Sequence, residues 1–247
     1  MALRSYADGA LFAEVLGEGP PRVLALHGWG RRGRDFAASL EGIPAIAPDL
    51  PGFGATPPPG EVMGAQGYAD FVASLLPEFD APPVVVGHSF GGRVAVCLAA
   101  SRPGEVGPLV LSGVPLLRRE SSVRPALAFR LVRALNRWGL VTDERLEEEK
   151  RKRGSADYRA ASGVMRDILV KVVNEGYEAE LGRLRSEVLL IWGERDSQVP
   201  VKTAIVARDL LQEVGTAARL EIMIGAGHHI PLERPNDLRA AVVELLT

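Results

Sequence analysis

Short apolar runs punctuate the chain, and each ends in a cluster of Gly, Pro, His or Asp. Val23-Leu24-Ala25-Leu26 runs into His27-Gly28-Trp29-Gly30, and Ile43-Pro44-Ala45-Ile46-Ala47 into Pro48-Asp49-Leu50-Pro51-Gly52-Phe53-Gly54. Val84-Val85-Val86 leads to Gly87-His88-Ser89, and Leu109-Val110-Leu111 to Ser112-Gly113. Further on, Val188-Leu189-Leu190-Ile191-Trp192 leads to Gly193-Glu194-Arg195-Asp196, and Leu220-Glu221-Ile222-Met223-Ile224 to Gly225-Ala226-Gly227-His228. Near-continuous apolar runs, rather than alternation, predict strands covered on both faces, as in a mostly parallel sheet. Helix-like stretches between them, such as Gly92 to Ser101 and Val201 to Val214, supply the crossovers. The expected fold is a doubly wound α/β layout.

One segment breaks this rhythm. Between Val114 and Gly182 there is no strand-like run, only helical material. Glu147, Glu148 and Glu149 stand four residues before Arg151, Lys152 and Arg153, the favourable order for ion pairs along a helix face. The expected organisation is one core, residues 1–113 plus 183–247, interrupted by a helical insertion over 114–182. The insertion carries 14 Lys and Arg against 11 Asp and Glu, so it is +3 where the rest of the chain is −5. Lys150-Arg151-Lys152-Arg153 reads as a solvated face rather than a nucleic-acid patch, because the preceding acids offset it. There are no internal repeats, and Thr56-Pro57-Pro58-Pro59-Gly60 is a stiff loop.

Bulk properties narrow the functional classes. With 247 residues, 47% of them hydrophobic and 24% charged, the chain builds a substantial core. A net charge of −2 points to no nucleic-acid or anionic-membrane partner. The lone cysteine, Cys97, excludes an intramolecular disulfide and suits a reducing compartment. The first residues lack the sections of a secretory signal, and no apolar run reaches the roughly 18 residues that span a bilayer. The expectation is a soluble cytoplasmic protein of undetermined oligomeric state.

The chemistry starts at Gly87-His88-Ser89-Phe90-Gly91, a G-x-S-x-G pentapeptide between a strand-like and a helix-like run. A serine exposed on a sharp strand-to-helix turn needs glycines two residues to either side, where side chains would clash. Its hydroxyl is a weak nucleophile until a base takes its proton and an acid orients that base. Asp196 and His228 follow in the chain order this motif predicts, each just past the C-terminal end of a strand. Glu194 is a second candidate acid, with a longer side chain nearer the strand. Asp49 precedes the serine, so its order is wrong. His229 competes with His228 for the base, and residue type alone does not separate them. His27 and His88 are expected to be structural or to support the site residues from behind. An oxyanion needs two preorganised donors: the N–H of Phe90, directly after the serine, and that of Trp29 in the first strand-to-helix turn. This chemistry calls for no metal and no organic cofactor.

Taken together, His27-Gly28-Trp29-Gly30, Asp49-Leu50-Pro51-Gly52-Phe53-Gly54, Gly87-His88-Ser89-Phe90-Gly91-Gly92, Trp192-Gly193-Glu194-Arg195-Asp196 and Gly227-His228 leading to Glu233-Arg234-Pro235 resemble the α/β-hydrolase superfamily over nearly the whole chain. The resemblance implies Ser89, His228 and Asp196 as the catalytic triad, favouring His228 over His229 and Asp196 over Glu194. It implies that 114–182 is a helical cap over the site. Ser89 argues against the dehalogenases and epoxide hydrolases of this superfamily, which carry an Asp there. The His-Gly-Trp-Gly turn is similar to that of small carboxylesterases, so the implied substrate is a small carboxylic ester, thioester or lactone. Similar motifs occur in carbon–carbon bond hydrolases and perhydrolases, and a non-catalytic ligand-binding version of the fold is a third reading. In the cap, Leu127, Phe129, Leu131, Val132, Leu135, Trp138 and Leu140 recur at helical spacing and read as core packing. Arg118 and Arg119 read as solvated rather than as partners of an acidic substrate.

Overall fold

The computed structural model describes residues 2–118, 142 and 156–247. Eight strands form one sheet: β1 (Ala2–Tyr6), β2 (Leu11–Leu16), β3 (Val23–Leu26), β4 (Ala45–Asp49), β5 (Val84–His88), β6 (Leu109–Ser112), β7 (Val188–Gly193) and β8 (Ala218–Met223). Their order across the sheet is β1-β2-β4-β3-β5-β6-β7-β8. All pairings from β4 to β8 are parallel, whereas β1–β2 and β2–β4 are antiparallel. The sheet is the mostly parallel, doubly wound one expected.

Residues within one strand divide between the two faces. Leu24 and Leu26 of β3, Val85 of β5 and Leu190 of β7 join one buried cluster, with helix α2 (Phe90–Ser101). Val23, Ala25, Val84, Val86, Leu189 and Ile191 join the other, with helix α8 (Pro235–Leu245). Both faces are covered, so alternate positions have no polar face to show. At about 25 cal/mol per Å² of apolar surface removed from water, these two layers are the main source of stability.

Several boundaries differ from the sequence reading for local reasons. β4 starts two residues later than its apolar run, because the Ile43 N–H is taken by the Leu40 carbonyl in a turn and Pro44 has no N–H to give. β8 stops at Met223, paired with Gly193 at the end of β7; Ile224 lies beyond it and is 72% exposed. β1 and β2 carry no continuous apolar run. β1 is an exposed edge strand and β2 is covered only in part, so the signal of double burial is missing there. Helix α1 (Ala65–Val72) was also unanticipated, as was α8, which begins at a proline that fits a first helical position.

Within 114–182 the described residues form α3 (Ala156–Ala160), α4 (Gly163–Val173) and α5 (Glu178–Leu181), with no strand among them. The Glu147–Arg153 ion-pair pattern, the apolar positions from Leu127 to Leu140, and Arg119 lie outside the described residues. α4 buries Ile168 and Val172, and Glu175 beyond it accepts the N–H of Ala65 at the start of α1 (3.1 Å) and the hydroxyl of Tyr177 (2.8 Å). The remaining helices are α6 (Val201–Glu213) after β7 and α7 (Ile230–Glu233) before α8. Among the described residues no helix is long and apolar enough to cross a membrane.

Candidate active site

Chain order reverses across β3: the chain runs from β3 to β4 on one side, then returns to β5 on the other. Loops leaving two such strands diverge and open a crevice at their C-terminal ends. Trp29 follows β3 and Ser89 follows β5, so these residues flank that crevice.

Ser89 joins β5 to α2 with φ +51° and ψ −113°, a conformation that L residues rarely adopt. It is held by its own N–H, which donates to the Ser112 carbonyl at the end of β6 (2.9 Å). The flanking glycines make the turn possible. A Cβ on Gly91 would lie 2.1 Å from the Leu26 carbonyl oxygen, and one on Gly87 2.5 Å from the Cα of Gly92. Neither main-chain neighbour can yield, so both positions are restricted to glycine.

The structure brings Ser89, His228 and Asp196 into one hydrogen-bonded chain. His228 follows β8 and Asp196 follows β7, and the pair is buried. The Asp196 carboxylate can only accept, so the proton on the facing His228 nitrogen is on Nδ1, which donates to Oδ2 over 2.8 Å. That leaves Nε2 as an acceptor, and the Ser89 hydroxyl donates to it at 3.1 Å. Asp196 Oδ1 accepts the main-chain N–H groups of Gln198 (2.9 Å) and Val199 (2.8 Å). These bonds orient the carboxylate and satisfy its second oxygen.

The competing residues are engaged elsewhere. Glu194 accepts the N–H of Gly225 (2.9 Å), and Asp49 accepts those of Gly33 and Ala55, both at 2.8 Å. His229 lies beside His228, with ring centroids 5.2 Å apart, and makes no bond to Ser89. His27 is fully buried: Nδ1–H donates to the Gly28 carbonyl (2.7 Å) and Nε2 accepts the N–H of Leu50 (2.9 Å), pinning the β3 turn to the end of β4. Burial lowers its pKa to about 4, so it stays neutral and keeps that acceptor. His88 is likewise buried, and burial with the neighbouring His228 and His229 holds its pKa well below the ordinary value. Burial pushes the Cys97 thiol up to about 12, leaving no thiolate to compete with the serine.

The two residues expected to supply main-chain donors border the same space. Trp29 and Phe90 line a cavity of about 300 Å³ together with Ser89 and His228. Among the described residues no protein acceptor takes the N–H of either. Their side chains are locked by edge-to-face aromatic contacts, Trp29 against Phe53 at 4.9 Å and against Phe90 at 5.4 Å, and Phe90 against Tyr68 at 4.9 Å. Leu169 and Val172 of α4 close another side of the cavity, and Arg93 of α2 borders it while donating to the Val172 carbonyl (2.5 Å).

Three positioning residues escaped the sequence reading. In the sequence Gly113 marks only a turn, Tyr68 lies in a helix that the pattern does not reveal, and Glu233 is one residue of a longer motif. Glu233 accepts the N–H of Gly227 (2.6 Å) with one oxygen and that of His229 (3.0 Å) with the other, straddling His228. Its signal in the sequence is its place five residues after His228 and two before Pro235. Among the described residues no group of three or more His, Cys, Asp or Glu side chains is arranged to hold a metal ion.

Residues 23–242 match the model of the "Alpha/beta hydrolase family". A pimeloyl-[acyl-carrier protein] methyl ester esterase of Aromatoleum aromaticum is 29% identical over 92% of this chain and 98% of its own. Lipase LipV of Mycobacterium tuberculosis is 46% identical over 38% of this chain, a match that spans 37% of the lipase. Among solved structures, an esterase from Exiguobacterium antarcticum superposes with a TM-score of 0.72 at 19% identity, covering 100% of this chain and 99% of that one, a likeness of fold.

Proposed function

Since the chain belongs to the α/β-hydrolase family, we propose that it is a serine hydrolase that cleaves a carboxylic ester, thioester or lactone through an acyl-enzyme. The observation that carries this reading is the bonded chain Ser89–His228–Asp196, at 3.1 and 2.8 Å. The names of the relatives, a methyl ester esterase and a lipase, point to the same bond class.

In this mechanism Ser89 Oγ attacks the carbonyl carbon as its proton passes to His228 Nε2. Asp196 orients the ring and stabilises the imidazolium. The N–H groups of Trp29 and Phe90 hold the oxyanion, a contribution of about 3 kcal/mol per donor. Collapse expels the alcohol or thiol, which takes the proton from His228. Water then repeats the steps, with His228 again as base, and releases the acid and free Ser89. Among the described residues of 114–182, helix α4 takes the part of the expected cap, with Leu169 and Val172 bordering the crevice at Ser89. A cytoplasmic setting belongs to the same reading, on the strength of a lone, buried cysteine.

The test is turnover of p-nitrophenyl acetate or butyrate by the wild type and by Ser89→Ala. Loss of turnover in the variant is expected, and undiminished activity there would overturn the mechanism. A ring-fission dienone acid consumed orders of magnitude faster than simple esters would transfer the reading to carbon–carbon hydrolysis. Folded protein that a fluorophosphonate fails to label at Ser89 would indicate a binding module instead.

A further inference from the structure

A second cavity of about 300 Å³ lies beside the first, and Pro115, Gln198 and Val199 line both. Leu117, Pro200 and Val206 make its walls apolar. Its charged lining is Arg118, from the segment after β6, and Lys202, from the first turn of α6, with no acid among its described lining residues. Glu178 accepts the Arg118 main-chain N–H with its carboxylate (2.9 Å). The first cavity is lined by one charge of each sign, Asp157 and Arg93, so it lacks the cationic excess of the second. The whole chain is net negative, at −2, so attraction of an anion to this end is local rather than a property of the molecule's overall field.

From this arrangement we propose that the second cavity is a subsite for the anionic far end of an elongated ester substrate, bracketed by Arg118 and Lys202. The inference rests on the ester chemistry assigned to Ser89. The reacting bond sits at Ser89, the apolar middle of the substrate passes Pro115 and Val199, and a carboxylate or phosphate ends between two cations carried by different elements. Arg118 is exposed, as expected of a solvated arginine, and Lys202 is brought beside the same cavity from 84 positions along the chain.

The experiment compares kcat/KM for p-nitrophenyl esters of plain and ω-carboxylated acids at matched chain lengths from about two to about ten carbons, with a second series carrying the carboxylate on the alcohol part. In one series the charged ester should gain about fivefold over its neutral counterpart once the chain is long enough, as suits two partly exposed pairs. The gain should shrink in high salt. Arg118→Gln and Lys202→Gln should each lower the charged-to-neutral ratio, and the double change Arg118→Glu, Lys202→Glu should invert it in favour of an ω-ammonium ester. A ratio at or below one at every length in both series, or a gain independent of length or indifferent to both single substitutions, overturns the subsite while leaving the ester chemistry standing. Protein that neither turns over any ester nor labels at Ser89 overturns the chemistry and the subsite with it.

Discussion

Gly113 leaves no room for a side chain beside His228: a Cβ there would lie 2.9 Å from both Nδ1 and Cε1 of the imidazole, and 3.3 Å from Asp196 Oδ2. Its φ of +57° disfavours any other residue independently. The end of β6 therefore acts as the wall against which the His228–Asp196 pair is seated. Gly113→Ala should displace the ring. A misplacement of about 1 Å costs on the order of 100-fold in rate, so kcat should fall by about that much, far more than the fall in melting temperature alone would explain. Steady-state kinetics beside a thermal melt separates the two, and wild-type kcat in the variant would refute the seating role.

Asp196→Asn keeps the shape and removes the charge. It also lets an amide N–H face His228, which would favour the tautomer with its proton on Nε2, the wrong one for accepting from Ser89. The expected loss is on the order of 10⁴-fold in kcat with an unchanged circular dichroism spectrum. A loss below about tenfold would remove Asp196 from the orienting role.

Glu233 should matter less, because it holds the loop rather than the ring. Glu233→Gln retains one acceptor but gives up a charge-assisted bond to Gly227 or His229, a term of about 1 kcal/mol. A fall of about three- to tenfold in kcat with little change in KM is expected. No change in either constant would mean that the loop holds itself.

Strain at Ser89 predicts an opposition between stability and activity. Glycine adopts φ near +51° at little cost, whereas a side chain there costs on the order of 1 kcal/mol or more. Ser89→Gly should unfold at higher denaturant than Ser89→Ala, by about 1 kcal/mol, with both inactive. Equal midpoints in urea would show that the turn stores no strain.

His27 links stability to pH. Its folded pKa, about 4, lies below the ordinary 6.5, so the folded state binds the proton less readily than the unfolded chain. The stabilisation is complete above pH 6.5 and is lost as the pH falls from there towards 4, by about 2 kcal/mol at pH 5. Urea unfolding at pH 7 and pH 5 should show this loss, and His27→Asn should flatten it. An identical slope in the variant would assign the pH dependence to other groups, His88 first among them.

The sequence by itself determined the parallel core and the polar turn residues at its edge. Six strands announced themselves because residues such as Val85 and Val86 of β5 must both be apolar when each faces a different buried layer. Ser89, Asp196 and His228 were legible because a strand-end turn has few chemical solutions, each written in consecutive residues. Elements covered on one side or less, β1 and β2, carried no such mark, and α1 was hidden behind a proline-rich loop. The tertiary structure alone decided relations between distant segments: how closely His228 approaches Ser89, that Gly113 walls the ring, and that Arg118 and Lys202 border one cavity. The reason is physical. Periodicity and turn chemistry act over a few residues, whereas which side chains meet across 84 or 139 positions depends on how the sheet orders its strands.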